Sequence, residues 1–349
     1  MTDVEIARQR LYNQHIAVQH FKTPAQIVQY MGAIQAQDYA GAKWAIGLRL
    51  VKSSDKAVDK AMAAGMIIRT HVLRPTWHFV VPEDLRWMLD LTARRIIAMS
   101  AARERQLKLD GAIFKRSNDI MAKALSGGKQ LSRPEMMALL QQNGIGTNEQ
   151  RSVHLLMRAE LDKVICSGAR QGKQFSYALF DDRIPQGTLQ HDEALAQLVR
   201  RYFISRGPAT AHDFAWWSGL TLGDAKTGLE IIKDELISIT VDNQIYWRAK
   251  EQPLATRKAP SAYLLPAYDE FAVAYSSRAA TVNPKYTAQA RYVIFDPSIV
   301  VNNQVVGTWG RMVKKDDVDV TLNAFGDLTL KQLNALLAVE NKYRRFLQG

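Results

Sequence analysis

The chain has 349 residues, of which 47% are hydrophobic and 23% are charged. That composition excludes a disordered chain, and the length predicts roughly two to four compact units with a sizeable buried core. The formal net charge is +12 and the pI is near 9.7, so an acidic partner is expected, with nucleic acid favoured over an anionic membrane surface. A basic protein without a polyanionic partner is the alternative, because charge alone does not decide between them.

The sequence contains one cysteine, Cys166, so a disulfide within the chain is excluded and a cysteine-based metal site is not expected. The first residues, Met1 to Glu5, form no apolar signal region. No run of roughly 18 apolar residues is present, so a bilayer-spanning helix is not expected. We therefore expect a cytoplasmic protein with no membrane partner.

The first 81 residues predict several helices followed by two strands. Thr23 is a good N-cap for a helix that continues to Ile34. Strands are predicted at Ile67–Val72 and Thr76–Val81. Pro75 between them predicts a turn or a strand end, because proline lacks the N–H that a sheet ladder needs.

Residues 83–126 predict mostly helix and are strongly basic. Basic side chains along a helix can contact a phosphate backbone, and they can equally form a solvated helix face. The candidate nucleic-acid-binding residues are six arginines in and before this segment: Arg69, Arg74, Arg94, Arg95, Arg103 and Arg105.

Two later stretches repeat one order of elements: helix, turn, helix and β-hairpin. Capping-box sequences begin at Ser132 and Thr147 in the first stretch, and Thr221 starts a helix in the second. The second hairpin turns at Asp242-Asn243. This order is typical of a winged helix, in which the second helix enters a DNA groove. A decorated copy in the first 81 residues strengthens the repeat, and units that mediate protein contacts are the alternative.

The last hundred residues predict short alternating strands and a terminal helix capped at Thr329. Such strands are typical of a small antiparallel sheet or barrel. The predicted fold class is α+β, mostly helical, with three tandem winged-helix units followed by a small C-terminal antiparallel β-barrel. The predicted domains are residues 1–126, 127–185, 186–256 and 257–349.

A pair of glutamines, Gln35 and Gln37, is the candidate catalytic feature. In a continuing helix their side chains would point roughly 200° apart, so they can converge on one ligand only if the chain leaves the helix here. Asp38 follows and is interpreted first as a capping or structural residue, although its carboxylate could accept a proton from water. Solvated amides at a helix end are the alternative interpretation.

Two other groups could carry chemistry. His71 and His78 lie on adjacent predicted strands, but no third metal ligand is evident, so we expect hydrogen-bonded histidines inside a packed sheet. Asp269 and Glu270 are interpreted as a loop-capping pair beside Pro266. No phosphate-loop, dinucleotide or zinc-protease motif occurs, and neither a metal nor a cofactor is predicted.

Four segments together resemble the AlkZ-like winged-helix DNA glycosylases, in the right order and over nearly the whole chain. The segments are Gln35-Ala36-Gln37, the strand Arg69–Phe79, Leu264-Leu265-Pro266-Ala267-Tyr268-Asp269-Glu270 with Tyr275 and Arg278, and Val306-Gly307-Thr308-Trp309. The resemblance implies three tandem winged-helix units and a C-terminal β-barrel around a positively charged channel. It also implies excision of alkylated purines, including bulky N7-guanine adducts and interstrand crosslinks. The Gln-x-Gln motif of the family maps onto Gln35 and Gln37.

The chemistry of such lesions agrees with a pair of amides. N7-alkylguanine is cationic, so its glycosidic bond is weak and the base leaves without a protein acid. The enzyme then has to position water and stabilise positive charge that develops on the sugar, which glutamine carbonyl oxygens can do. Glutamine has no usable pKa and cannot act as a general base, so uracil and normal bases should not be substrates.

We therefore predict a monofunctional DNA glycosylase that acts on double-stranded DNA as a monomer. A non-catalytic winged-helix protein, such as a transcription regulator, is the alternative, but a regulator would usually dimerise and no heptad helix is present. A third hypothesis is a protein that binds and sequesters an alkylating metabolite.

Overall fold

The computed structural model describes residues 1–255, 262–293, 295–314 and 317–349. About half of the chain is helical and most strands form antiparallel pairs, so the predicted α+β class is confirmed. The helices are α1 Asp3–Asn13, α2 Pro24–Met31, α3 Tyr39–Leu48, α4 Asp55–Ala63, α5 Pro82–Gln106, α6 Gly111–Leu125, α7 Arg133–Gln142, α8 Arg151–Leu161, α9 Phe180–Arg183, α10 His191–Arg206, α11 Ala211–Ser218, α12 Leu222–Ile231, α13 Glu270–Val273, α14 Thr287–Ala290 and α15 Leu330–Gln348. The strands are β1 Ile34–Gln35, β2 Ile68–Val72, β3 Arg74–Val80, β4 Leu131–Ser132, β5 Ile165–Ser167, β6 Ser176–Leu179, β7 Leu236–Val241, β8 Gln244–Ala249, β9 Ala262–Leu265, β10 Ser298–Val301, β11 Gln304–Val313 and β12 Val318–Ala324.

The chain divides into two compact units. Unit 1 comprises Met1–Val58, Ala196–Trp217 and Thr221–Gly349, and unit 2 comprises Asp59–Leu195 and Ser218–Leu220. The division into four sequential domains stays a prediction, and its last boundary, at residues 256–257, lies outside the described residues.

Unit 2 is built around an apolar core between α6, α7, α8 and a small sheet. The sheet has the order β4-β6-β5, with Leu131 opposite Tyr177 and Ile165 opposite Leu179. The buried core residues include Phe114, Met121, Leu125, Met136, Leu140, Leu155, Leu156 and Ile165. The helices therefore bury one stripe each against the same sheet, as their apolar spacing predicts.

The hairpin β2–β3 in unit 2 turns one position earlier than the sequence suggested. Pro75 is the second residue of β3, beside the turn, so the predicted turn or strand end is confirmed to within one residue. The chain reverses at Leu73, which has φ 65°. The carbonyl of Leu73 packs against Gly219, where a Cβ atom would clash with it. Proline is tolerated in β3 because a position beside the turn need not donate to the ladder.

The second copy of the repeat lies mainly in unit 1. Thr221 and Asp224 form a capping box that begins α12, as predicted. The strands β7 and β8 pair from Leu236–Ala249 to Val241–Gln244, and their turn residues Asp242 and Asn243 both have positive φ, at 47° and 62°. That conformation is the one a two-residue hairpin turn requires, and asparagine and aspartate adopt it readily.

Helix caps follow the sequence where the capping box is complete. Ser132 and Thr329 each accept a hydrogen bond from the third residue of the helix, as predicted. The predicted cap at Thr147 is wrong, because α8 begins at Arg151 and Gln150 occupies the cap position without a side-chain bond. The Thr147 hydroxyl instead accepts a hydrogen bond from the Gln141 side-chain amide at 2.7 Å.

The C-terminal strands form one antiparallel sheet of order β12-β11-β10-β9. Trp309 of β11 donates its indole N–H to the Leu265 carbonyl at 2.7 Å, and its ring packs on Tyr343 of α15. Within the described residues β9 and β12 are the edges of this sheet, and no pairing between them closes a barrel. No helix in the described part of the chain combines the length and apolar composition needed to span a bilayer.

Candidate active site

The glutamine pair lies where the chain leaves helix α2. The helix ends at Met31, and Gly32 has φ 74°, a conformation that glycine adopts without strain. Gln35 ends the short strand β1, and the next helix, α3, starts only at Tyr39. The backbone is therefore non-helical at Gln35 and Gln37, which meets the condition for the two amides to converge on one ligand.

The two amides have different environments. Gln35 is buried, with 6% of its surface exposed, whereas Gln37 is exposed. The backbone N–H of Gln37 donates to Oε1 of Gln35 at 3.0 Å. Only the carbonyl oxygen of an amide can accept this bond, so the orientation of the Gln35 amide is determined. Gln35 thus braces the backbone that carries the exposed Gln37 amide.

A buried carboxylate holds the same backbone from the other side. Oε1 of Glu270 accepts the N–H of Gln35 at 2.8 Å. Oε2 of Glu270 accepts from Nε and Nη2 of Arg206 at 2.9 and 2.7 Å, and from the Trp217 indole at 3.0 Å. Both side chains of the Arg206–Glu270 ion pair are fully buried. A buried pair is stable only when its remaining hydrogen-bonding positions are filled, and here they are.

Arg206 also binds the carbonyls that precede the glutamine pair. Its Nη1 donates to the Met31 carbonyl at 2.7 Å, and its Nη2 donates to the Ala33 carbonyl at 2.6 Å. Arg206 therefore satisfies backbone acceptors at the end of α2, while Glu270 satisfies the next donor, Gln35. One ion pair thus determines the path of the backbone on both sides of Ile34.

A second buried pair holds the start of α13 against the end of α3. Arg49 donates to both carboxylate oxygens of Asp269 at 2.8 Å, and both side chains are fully buried. Asp269 also accepts from the Phe271 backbone N–H at 2.9 Å, so its predicted capping role is confirmed. Glu270 has a different role, because its carboxylate points to Arg206 and Gln35 and caps nothing. The interpretation of Asp269 and Glu270 as one capping pair is therefore only half right.

Asp38 lies directly after the glutamine pair and occupies the N-cap position of α3. Its side chain makes no capping hydrogen bond, so of the predicted capping or structural role only the structural one remains. The carboxylate instead pairs with Arg311 of β11, at 3.1 Å. Gly41 leaves room for it, since a Cβ atom there would lie 2.5 Å from Oδ2 of Asp38. Asp38 is half-buried and lies next to Gln37 in the chain.

The candidate nucleic-acid-binding arginines belong to unit 2. Arg94, Arg95, Arg103 and Arg105 are exposed along α5, Arg74 is half-buried, and Arg69 is buried. The Arg69 guanidinium lies 4.2 Å from the Trp77 ring and 4.6 Å from the Phe175 ring. With Arg133 it lines a cavity of about 190 Å³.

The two histidines also belong to unit 2 and are buried, as expected for hydrogen-bonded histidines in a packed sheet. Nδ1 of His71 lies 2.6 Å from Glu160, and Nδ1 of His78 lies 2.9 Å from the Thr76 carbonyl.

The single cysteine is buried as well. Burial raises the pKa of the Cys166 thiol to about 12, which keeps the thiol protonated. No group of three His, Cys, Asp or Glu side chains placed to hold a metal ion occurs in the described part of the chain.

The residues that hold the glutamine pair were missed from the sequence. Glu270, Arg206 and Arg311 come from three separate segments, and no local pattern links them. The sequence held a partial indication of these ion pairs, because Asp269 and Glu270 directly follow an apolar strand. Both residues are buried in the structure. Acidic residues are rarely buried without a partner, so such a pair predicts two basic partners elsewhere in the chain.

A basic chain with a pair of braced amides and repeated helix–hairpin units has the features of an enzyme that acts on DNA. A family model described as "DNA glycosylase AlkZ-like" matches residues 28–346. The chain therefore belongs to the AlkZ-like DNA glycosylase family, and the resemblance drawn from four sequence segments is confirmed.

One curated relative is an interstrand DNA cross-link repair glycosylase of Streptomyces sahachiroi. It is 21% identical over 321 residues, which cover 86% of this chain and 85% of that protein. The solved structure of the Streptomyces sahachiroi DNA glycosylase AlkZ superimposes with a TM-score of 0.81 at 18% identity. The match covers 99% of this chain and 97% of the other, so the two proteins share a fold.

Proposed function

We propose that this DNA glycosylase hydrolyses the N-glycosyl bond of alkylated purines in double-stranded DNA, with Gln35 and Gln37 as its catalytic amides. The observation that carries the proposal is the Gln35–Gln37 turn, in which a buried amide braces the backbone of an exposed one at 3.0 Å. Family membership supports glycosylase activity and does not favour the alternative of a transcription regulator.

The arrangement suits a base that leaves readily. N7-alkylation puts a positive charge on the purine, so bond breakage needs no protein acid, and positive charge develops on the sugar. The exposed Gln37 can orient the attacking water, and its carbonyl dipole can stabilise that charge. Amides offer no nucleophile for a covalent intermediate, so water completes the reaction and the enzyme is monofunctional.

Asp38 adds a charge that amides lack. Its carboxylate lies next in the chain after Gln37, and Arg311 holds it at 3.1 Å. A negative charge there would stabilise a cationic sugar electrostatically, and it could accept the proton that water loses. We assign Asp38 as an accessory residue of the reaction.

DNA binding is proposed for three tandem winged-helix units. In unit 2, the short strand β4 pairs with the second strand of its hairpin, β6. In the later copy, Ala209 makes the corresponding bridge to Trp247 in the second hairpin strand, β8. The two copies thus share both element order and pairing, which supports winged helices. A comparable order of α3, α4, β2 and β3 supports a first copy.

The charge and the exposed arginines of α5 support contact with the DNA backbone. A net charge of +12 favours a polyanion at long range. We propose that Arg94, Arg95, Arg103 and Arg105 contact phosphates, and that the protein works as a cytoplasmic monomer. The buried Arg69 contributes less than the exposed four, because its guanidinium is already stacked between two aromatic rings.

Bulky adducts and interstrand crosslinks are proposed substrates. The Streptomyces sahachiroi relative is named for cross-link repair, which supports this substrate class. A crosslinked base is tied to the opposite strand and cannot rotate fully out of the duplex, so base flipping of the usual kind is unavailable. An exposed Gln37 suits a lesion that is approached in place.

Base release tests the proposal. Purified protein is incubated with duplexes carrying one N7-methylguanine or one nitrogen-mustard crosslink, beside a control without protein for spontaneous depurination. We expect release above the control for wild type, and loss of that excess in both Gln35→Ala and Gln37→Ala. Salt-sensitive duplex binding without release from either substrate would support the regulator instead. Release retained in both variants would move the catalytic site away from the glutamine pair.

A further inference from the structure

The segment from Pro266 to Glu270 contacts the chain on both sides of the Gln37–Asp38 backbone. At one end, Glu270 accepts the N–H of Gln35 at 2.8 Å. At the other end, a Cβ atom added to Gly41 would lie 3.2 Å from Cβ of Pro266. Gln37 and Asp38 lie between these contacts on one segment and Tyr268 lies between them on the other, so the reach of two short segments keeps Tyr268 within about 10 Å of the Gln37–Asp38 backbone.

Tyr268 has an unusual backbone and a partly exposed ring. Its φ is 60°, in the left-handed region that tyrosine rarely adopts. Its N–H donates to the Phe295 carbonyl at 3.2 Å, and the two rings stack with centroids 5.4 Å apart and planes 24° apart. Phe295 is 46% exposed. Strained backbone and exposed aromatic rings beside a reactive site are typical of groups that bind substrate.

We propose that, for a monoadduct whose base leaves the duplex stack, the Tyr268–Phe295 stack is a binding platform for the planar, cationic ring of the alkylated purine. This inference rests on the proposed function and adds the feature that distinguishes the lesion. Every nucleobase has a face that can stack on an aromatic ring, but only a positively charged base gains a cation–π attraction as well. The platform therefore favours N7-alkylpurines over neutral purines before any bond breaks, and the amides then act on the sugar.

The variants are chosen so that the fold survives. Tyr268→Asn removes the ring, and asparagine adopts positive φ more readily than tyrosine, so the backbone is retained. Tyr268→Phe keeps the ring. As a matched control, Tyr286→Asn removes a tyrosine from another Tyr–Phe contact of unit 1, in which Tyr286 and Phe325 have centroids 5.8 Å apart.

Binding is measured on two duplexes that cannot react. One carries N7-methylguanine on a 2′-fluorinated sugar, which is cationic and resists bond breakage, and the other carries neutral 7-methyl-7-deazaguanine. We expect wild type and Tyr268→Phe to prefer the cationic duplex, and Tyr268→Asn to lose about fivefold to tenfold of affinity for it. The affinity of Tyr268→Asn for the neutral duplex should fall much less, and Tyr286→Asn should behave as wild type.

An unchanged preference in Tyr268→Asn would overturn the platform, as would an equal loss on both duplexes. The glycosylase proposal is tested separately, by measuring whether wild type releases base from an unfluorinated N7-methylguanine duplex. Wild type that prefers the cationic duplex through Tyr268 without releasing base would retain the platform and refute the glycosylase. If wild type releases base and Tyr268→Asn binds both duplexes as wild type does, the glycosylase proposal is retained and the platform is refuted.

Discussion

The carboxylate of Glu270 accepts the backbone N–H of Gln35 at 2.8 Å, although the two residues are 235 positions apart in the chain. Both are buried, and Arg206 neutralises the carboxylate. The conformation of the candidate catalytic backbone is therefore set by an ion pair that contributes no atom to the reaction.

Removing the charge of Glu270 should destabilise the protein strongly. Glu270→Gln leaves the buried Arg206 without its counter-ion, which costs about 3–5 kcal/mol of unfolding free energy. The matched control is Glu235→Gln, which breaks the exposed Arg200–Glu235 pair and should cost less than about 1 kcal/mol. Urea unfolding measures both, and equal losses would contradict a special role for the buried pair.

The two glutamines should respond differently to truncation. Gln37→Ala should abolish base release yet change the unfolding free energy by less than about 0.5 kcal/mol, because the side chain is exposed. Gln35→Ala should also lower stability, by about 1 kcal/mol, because it removes the acceptor for the Gln37 N–H. Identical stability of both alanine variants would argue against the brace.

Adding one methyl group at Gly41 should disturb Asp38. The new Cβ atom would lie 2.5 Å from Oδ2 of Asp38, so the carboxylate must move away from Arg311. We expect Gly41→Ala to change the unfolding free energy by less than about 1 kcal/mol, because the displaced atom ends a side chain and alanine favours the helix, and to reduce base release as much as Asp38→Asn does. Gly111→Ala, in open space at the start of α6, should be neutral or stabilising by up to about 1 kcal/mol. Full activity of Gly41→Ala would remove Asp38 from the site.

Stability should fall in mild acid because of His15. Burial lowers the pKa of this imidazole from its ordinary 6.5 to about 4. Between pH 6.5 and pH 4 the unfolded chain therefore takes up a proton at His15 and the folded chain does not. The free energy of unfolding is unaffected by this proton above pH 6.5, and it falls as the pH is lowered towards 4. Since the ring is partly exposed, the loss is about 1–2 kcal/mol.

The variant His15→Asn tests this dependence, and asparagine tolerates the φ of 56° found at this position. The difference in unfolding free energy between pH 7 and pH 5 should shrink in His15→Asn. An unaltered difference in His15→Asn would assign the acid sensitivity to other groups.

Binding to DNA should weaken with salt in proportion to the phosphates contacted. If Arg94 and Arg95 each contact one phosphate, each alanine variant lowers the slope of log K against log salt by about 0.9. Lys331→Ala, on the exposed side of α15 in unit 1, is the control and should leave the slope unchanged. If both arginine variants keep the wild-type slope, Arg94 and Arg95 do not contact phosphates and belong to a solvated helix face.

Local features of the fold could be predicted because their causes lie within a few residues. Ser132, Thr221 and Thr329 cap helices through partners three positions on, so the signal and the structure share one short segment. Thr147 has the same local pattern but bonds to Gln141, because a nearby side chain competed for its hydroxyl. The family could be assigned for a different reason, since its four segments keep their order along the chain.

The sequence by itself determined the α+β class, most helix starts and the membership in a DNA glycosylase family. Only the tertiary structure decided which charges meet: Glu270 with Arg206, Asp269 with Arg49, and Asp38 with Arg311. The physical reason is that caps and turns are satisfied by neighbours in the chain. A buried charge, in contrast, needs an opposite charge that arrives from a distant segment when the core forms, and the order of residues does not specify that pairing.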